Sequence, residues 1–129
     1  MDSSAGRAWV GTPAMTSWSE IDVIATEGTV MPKAYLVVEH IVTDSAKFGD
    51  YLRKVGPMIA KHGGRALAKG NSHQFPEGGH WKPELVAITE FPDMESLKAW
   101  YNSEEYQPLI ALRKQCTSDL GMLIMVEGA

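Results

Sequence analysis

Trp100, Tyr101 and Tyr106 fall within seven residues in the segment "FPDMESLKAWYNSEEYQPLIALR" (91–113), which ends on Arg113. Aromatic rings beside one guanidinium are the parts of a site for a small aromatic or acidic molecule. The rings supply apolar walls, and the guanidinium holds a carboxylate through two parallel hydrogen bonds. Tyr35 is a further candidate wall, and Arg65, after Gly63-Gly64, a second anion contact. The same residues also suit plainer roles. Large aromatics close and pack helical turns, and a buried tyrosine or tryptophan needs only one polar partner. An arginine after a double glycine serves as well in an ion pair. Both readings stay open on sequence alone.

The second candidate is acid–base chemistry by His40 and Glu90, each near the end of an apolar run, "AYLVVEHIV" and "ELVAITEF". A carboxylate beside an imidazole orients the ring and raises its pKa, which suits proton transfer. The alternative is two solvated strand ends or a simple ion pair. His62, His73 and His80 are scattered without i, i+4 spacing or a cysteine nearby, so no metal site is expected. Cys116 lies on an apolar helical stripe and reads as a small core residue. With no phosphate loop, dinucleotide fingerprint or nucleophile elbow, no cofactor is expected.

These residues need elements to position them. "AYLVVEHIV" is a β-branched strand. Asp44 follows as an N-cap, and Phe48, Tyr51, Leu52, Val55, Ile59 and His62 form an amphipathic helix that Gly56-Pro57 should kink or interrupt. Gly63-Gly64 stops it. "RALAKG" is a weaker strand near an edge, "NSHQFPEGGHWKP" a loop, and "ELVAITEF" a third strand. Asp93 caps a second helix with Met94, Leu97 and Tyr101 as its stripe and Trp100 beside it. Asn102-Ser103 breaks that helix, and Pro108 opens another piece with Leu109, Leu112 and Cys116 inward. "LGMLIMVEG" is the last strand.

The order β-α-β-β-α-β predicts an α+β, ferredoxin-like subunit. Taken as parallel neighbours, the first and third strands would bring His40 and Glu90 to one end and one face of the sheet. Both faces alternate apolar residues: Leu36 and Val38 against Tyr35, Val37 and Ile41, and Leu85, Ala87 and Phe91 against Val86 and Ile88. Helices cover one face, and a second copy of the chain is the expected cover of the other.

With 129 residues, 44% hydrophobic and 22% charged, the chain suits one globular domain. A net charge of −4 excludes the basic footprint of a nucleic-acid binder. No apolar run approaches a membrane span, and no basic start with an apolar core marks a secretory leader. A single cysteine suits a reducing compartment, so a cytoplasmic protein is expected. Residues 1–30 stand apart. They set four carboxylates against one arginine and scatter Gly, Ser, Thr and Pro without period; only "EIDVIA" suits a strand. The segment reads as an N-terminal extension outside a 31–129 domain, either preceding a natural start at Met31 or an arm anchored on a partner by Trp9 and Trp18.

Several motifs together resemble the domain-of-unknown-function family 1330. They are "KHGGRALAKG", the Trp81-Lys82-Pro83 approach to the third strand, the Glu90-Phe91-Pro92 exit, and Trp100-Tyr101-x-Ser103-x-x-Tyr106, in that order over about residues 31–128. His40 is not part of that pattern; Glu90 is. The resemblance implies a dimeric α/β barrel, in which two ferredoxin-like subunits join their sheets. Its superfamily includes cofactor-free monooxygenases, haem-degrading enzymes, lactone isomerases and small-molecule sensors, and the family itself has no settled activity. The expectation is a homodimer holding a small organic molecule, with proton-transfer or cofactor-free oxygen chemistry as one reading and a non-catalytic binding or structural dimer as the other.

Overall fold

The apolar run "AYLVVEH" forms the first strand, β1 (Ala34–His40), with Ala34, Leu36 and His40 on its buried side. The computed structural model describes residues 31–68 and 70–129. The expected strand "EIDVIA" and the arm carrying Trp9 and Trp18 lie outside them.

Asp44 is extended, and its carboxylate accepts the Lys47 N–H at 3.0 Å, starting α1 (Ser45–Lys61). Phe48, Tyr51 and Val55 make its buried stripe. The helix runs through Gly56-Pro57 without interruption. Both residues are exposed, so the carbonyl deprived of its donor by Pro57 belongs to a turn that water can reach. Gly63 has φ +84°, and the Gly64 N–H reaches back to the Ile59 carbonyl at 2.9 Å, closing the helix as a left-handed cap. Gly64 is needed for a different reason: a Cβ there would stand 2.9 Å from the Phe91 ring.

Strand β2 (Arg65–Ala68) is a short edge strand with an irregularity between Ala66 and Ala68, and β3 (Leu85–Phe91) lies beside it. Asp93 accepts the Ser96 N–H at 2.7 Å and opens α2 (Met94–Asn102). Leu97 and Trp100 are its buried residues, with Tyr101 only partly covered, so the stripe turns toward Trp100 relative to the expected Tyr101. After Ser103, α3 (Gln107–Cys116) begins with Pro108 in its first turn, and β4 (Met122–Glu127) completes the sheet.

The sheet order is β2-β3-β1-β4, and every pairing is antiparallel. The expected parallel pairing of β1 with β3 is therefore corrected. The helical crossover makes β1 and β2 parallel; β3 turns back from β2 and inserts between them, so it opposes both. Directly opposed residues share a face. Leu36 faces Thr89, Val38 faces Ala87 and His40 faces Leu85 on the helix side; Tyr35 faces Glu90 and Val37 faces Ile88 on the other.

The core lies on the helix side, around Phe91, Leu97, Trp100, Tyr106, Leu109 and Cys116. Helix α1 lies closest to α3, and its Phe48, Tyr51 and Val55 join the same core as Leu36 and Phe91 of the sheet. On the opposite face Met122, Ile124 and Val126 remain exposed. Among the described residues no helix is long and apolar enough to cross a membrane.

Candidate functional site

A chamber of about 150 Å³ lies between α1 and the sheet. Its walls are mainly apolar, among them Leu36, Val38, Phe48 and Val55. Five polar side chains also line it: His40 from β1, Tyr51 from α1, Thr89 from β3, Trp100 from α2 and Arg113 from α3. A second cavity of about 270 Å³ opens at the turn between α3 and β4, lined by Lys114, Thr117, Ser118, Asp119 and Gly121. His40 and Arg113 belong to the walls of both.

Sequence spacing explains the inward arginine. Leu109, Arg113 and Cys116 recur at four and three, so the guanidinium rises from the buried stripe of α3. It displaces the expected Leu112, which is only partly buried. Arg113 is 7% exposed, His40 1% and Trp100 0%. Among the described residues, Arg113 Nε, both His40 ring nitrogens and Trp100 Nε1 have no hydrogen-bond partner, and no ion pair includes Arg113. Buried polar groups are normally paired, because an unpaired one forfeits its hydration without return. Four such atoms belong to three residues of one chamber wall, which makes that wall the candidate site.

Burial, and secondarily the charge of Arg113, lowers the His40 pKa to about 4. The imidazole is thus neutral near pH 7, offering one N–H and one bare nitrogen. The Tyr51 and Tyr106 hydroxyls share a hydrogen bond of 2.7 Å. Burial raises both phenols above their ordinary range, and the Tyr51–Tyr106 contact raises Tyr51 further; Arg113 opposes the rise at each. Tyr106 is fully buried and packs on Trp100 with ring centroids 4.3 Å apart, so it supports the chamber from behind. Gly121 fits against His40 so closely that an added Cβ would overlap Nδ1.

The other sequence candidates gather on the opposite face. Arg65 Nε donates to Glu90 at 2.9 Å, and the Tyr35 hydroxyl donates to the same carboxylate at 3.4 Å. The Arg65 hydrogen bond, the largest influence, holds Glu90 below its usual pKa. Arg65 is therefore an ion-pair partner, and Tyr35 lines no wall of the chamber. The expected meeting of His40 and Glu90 does not occur. Glu90 is opposite Tyr35, five residues along β1 from His40 and on the other face. At about 3.4 Å per residue that is a separation of roughly 17 Å along the strand. Of the named candidates, the chamber unites His40, Trp100 and Arg113, supported by Tyr106.

Tyr51, Ser118 and Gly121 were not anticipated. Tyr51 was legible as the one polar-tipped residue on the α1 stripe. Ser118 and Gly121 carry no periodic signal, because the turn between α3 and β4 sets their positions.

Residues 33–129 match the domain of unknown function DUF1330, and the chain belongs to that family. No curated protein matches the sequence. A crystal structure of RPA0582, a protein of unknown function from Rhodopseudomonas palustris, superposes with a TM-score of 0.66 at 14% identity, covering 89% of this chain and 96% of that one. SnoaB, a cofactor-independent oxygenase from Streptomyces nogalater, gives 0.52 at 8% identity, covering 76% and 94%. A conserved protein from Methanosarcina mazei Go1 gives 0.50 at 14% identity, covering 80% and 99%. At these identities the likeness establishes the fold: a ferredoxin-like subunit of the dimeric α/β-barrel class.

Proposed function

We propose that this protein is a homodimer that binds a small, mainly apolar acid in the chamber between α1 and the sheet. The observation that carries the reading is Arg113: a guanidinium 7% exposed, with no ion pair among the described residues, on the wall of an apolar chamber. A buried cation in low dielectric is stabilised strongly by one bound anion. The chamber volume of about 150 Å³ resembles that of cavities known to accept benzene, so a single ring or short branched chain fits.

Binding is better supported than general-base catalysis. An imidazole lowered to about 4 is a weak base at neutral pH, whereas a general base works best with a pKa near the operating pH. The oxygenase chemistry in SnoaB's description therefore contributes less to this reading than the chamber does.

The exposed Met122, Ile124 and Val126, beside the partly exposed Val37 and Ile88, are the surface we assign to the second copy. A chain whose one described cysteine is buried suits the cytoplasm.

Thermal-shift titration with phenylacetate and 3-methylbutanoate, against the neutral benzyl alcohol, tests the binding reading. The acids raise the melting temperature of the wild type and not of Arg113→Met. Equal shifts in both proteins, or no shift with any acid, would contradict it. Light scattering tests the dimer: a particle of twice the 14.2 kDa chain mass at micromolar concentration is expected. A particle of the single-chain mass would contradict it.

A further inference from the structure

The register of β1 with β3 gives the floor of the chamber its shape. On the helix side it is a ladder of opposed pairs: His40 with Leu85, Val38 with Ala87, Leu36 with Thr89, and Ala34 with Phe91 beyond them. The pairs from His40–Leu85 to Leu36–Thr89 line the chamber. At about 3.4 Å per residue, successive pairs stand roughly 7 Å apart along the strands.

The ends of this floor differ in character. His40 and Arg113 are the chamber residues that also line the second cavity, so the cation stands at the His40 end. The far end is apolar. An added Cβ at Gly64 would meet both Ile59 and Phe91, so Ile59, a wall residue of the chamber, lies beside the pair beyond Leu36 and Thr89. An acid held by Arg113 therefore lies lengthwise along β1, with its carboxylate near His40 and its apolar part toward Leu36.

The widest point falls between the ends. Valine opposite alanine is the smallest of the opposed pairs on this face. Ala34, Leu36 and His40 are buried on the helix side of β1, and Val38 alone among them is half-buried, although strands flank β1 on both sides. Ala87 opposite it is half-buried too. Interiors are close-packed, so uncovered side chains at the centre of a sheet and beneath a helix mark the open part of the floor.

We propose that the Val38–Ala87 pair selects the ligand: the chamber takes acids whose ring or branch is set back from the carboxylate by a short spacer, and Ala87 limits how large that group can be. This rests on the chamber's being the acid site argued above. Benzoate joins its ring directly to the carboxylate and holds it over the longer side chains of His40 and Leu85. Phenylacetate carries the ring further along β1, toward the small pair.

The test is thermal-shift titration of the full-length protein with benzoate, phenylacetate and 1-naphthylacetate, with propanoate as an acid that has no ring. Wild type binds phenylacetate more tightly than benzoate. Ala87→Val adds methyl groups to the floor and lowers the ratio of phenylacetate to propanoate affinity by roughly tenfold or more, the scale of overpacking a filled site. Val38→Ala widens the same pair from the other strand, so it raises affinity for 1-naphthylacetate relative to phenylacetate and keeps the test open should Ala87→Val not fold. Equal affinity of wild type for benzoate and phenylacetate, or ratios that the folded variants leave unmoved, overturns selection by this pair and leaves acid binding standing. Failure of every acid to bind overturns both.

Discussion

Replacing Arg113 with methionine should make the ligand-free protein more stable, not less. The guanidinium is 7% exposed, has no ion pair among the described residues and leaves Nε unsatisfied. An unsatisfied buried donor costs about 1–3 kcal/mol. Methionine follows the same unbranched path, brings no polar hydrogen and adapts to irregular space. The volume mismatch returns less than about 1.5 kcal/mol. The balance is a gain of about 1 kcal/mol, which for a domain of this size raises the melting temperature by about 4–8 °C. Urea unfolding of wild type and Arg113→Met at pH 7, at one fixed protein concentration because dimerisation shifts the midpoint, measures it. The same variant loses the stabilisation that acids give the wild type, the trade of stability against function expected at a binding site. Destabilisation by more than about 1 kcal/mol would refute the reasoning, because it would show the guanidinium to be a structural partner.

Three further outcomes follow from the same geometry. His40 has its folded pKa lowered from 6.5 to about 4, so the unfolded chain binds a proton that the native one refuses between those values; wild type loses about 2–3 kcal/mol more than His40→Gln as pH falls from 6.5 to 4, read by parallel urea titrations, and matching curves would contradict it. Gly121→Ala drives a methyl against His40 Nδ1, so affinity for acids falls while secondary structure by circular dichroism is retained; unchanged affinity would separate His40 from the site. Ile124→Lys places a charge on the exposed sheet face and shifts sedimentation toward the single chain, whereas an unchanged sedimentation coefficient would place the dimer contact elsewhere.

Local signals were the most legible in the sequence. The caps at Asp44 and Asp93, the left-handed Gly63 and the break between α2 and α3 each depend on a few neighbouring residues and form as read. The interruption offered at Gly56-Pro57 does not occur, because a proline's cost depends on which side of the helix is wet, and tertiary packing decides that. The pairing of His40 with Glu90 failed at two steps, strand direction and register. Period-two alternation gives each residue's phase along its own strand, but direction decides which end two residues share and register decides which face. Arg113 was legible by type but not by place, since the stripe was assigned to Leu112 and the structure gives it to Arg113. The chamber itself was not. It is walled by side chains of β1, α1, β3, α2 and α3, elements far apart in the chain.

The central claim is that the space between α1 and the sheet receives an acid, and Trp100 reports on it directly. Trp100 belongs to that wall and its indole N–H has no partner, whereas the Trp81 indole donates to Glu39 at 2.7 Å on the opposite face. In nitrogen-15 spectra assigned with Trp100→Phe and Trp81→Phe, titration with phenylacetate should move the Trp100 indole resonance saturably and leave that of Trp81 in place. A stationary Trp100 signal, while acid binding is measured by calorimetry, would contradict the account.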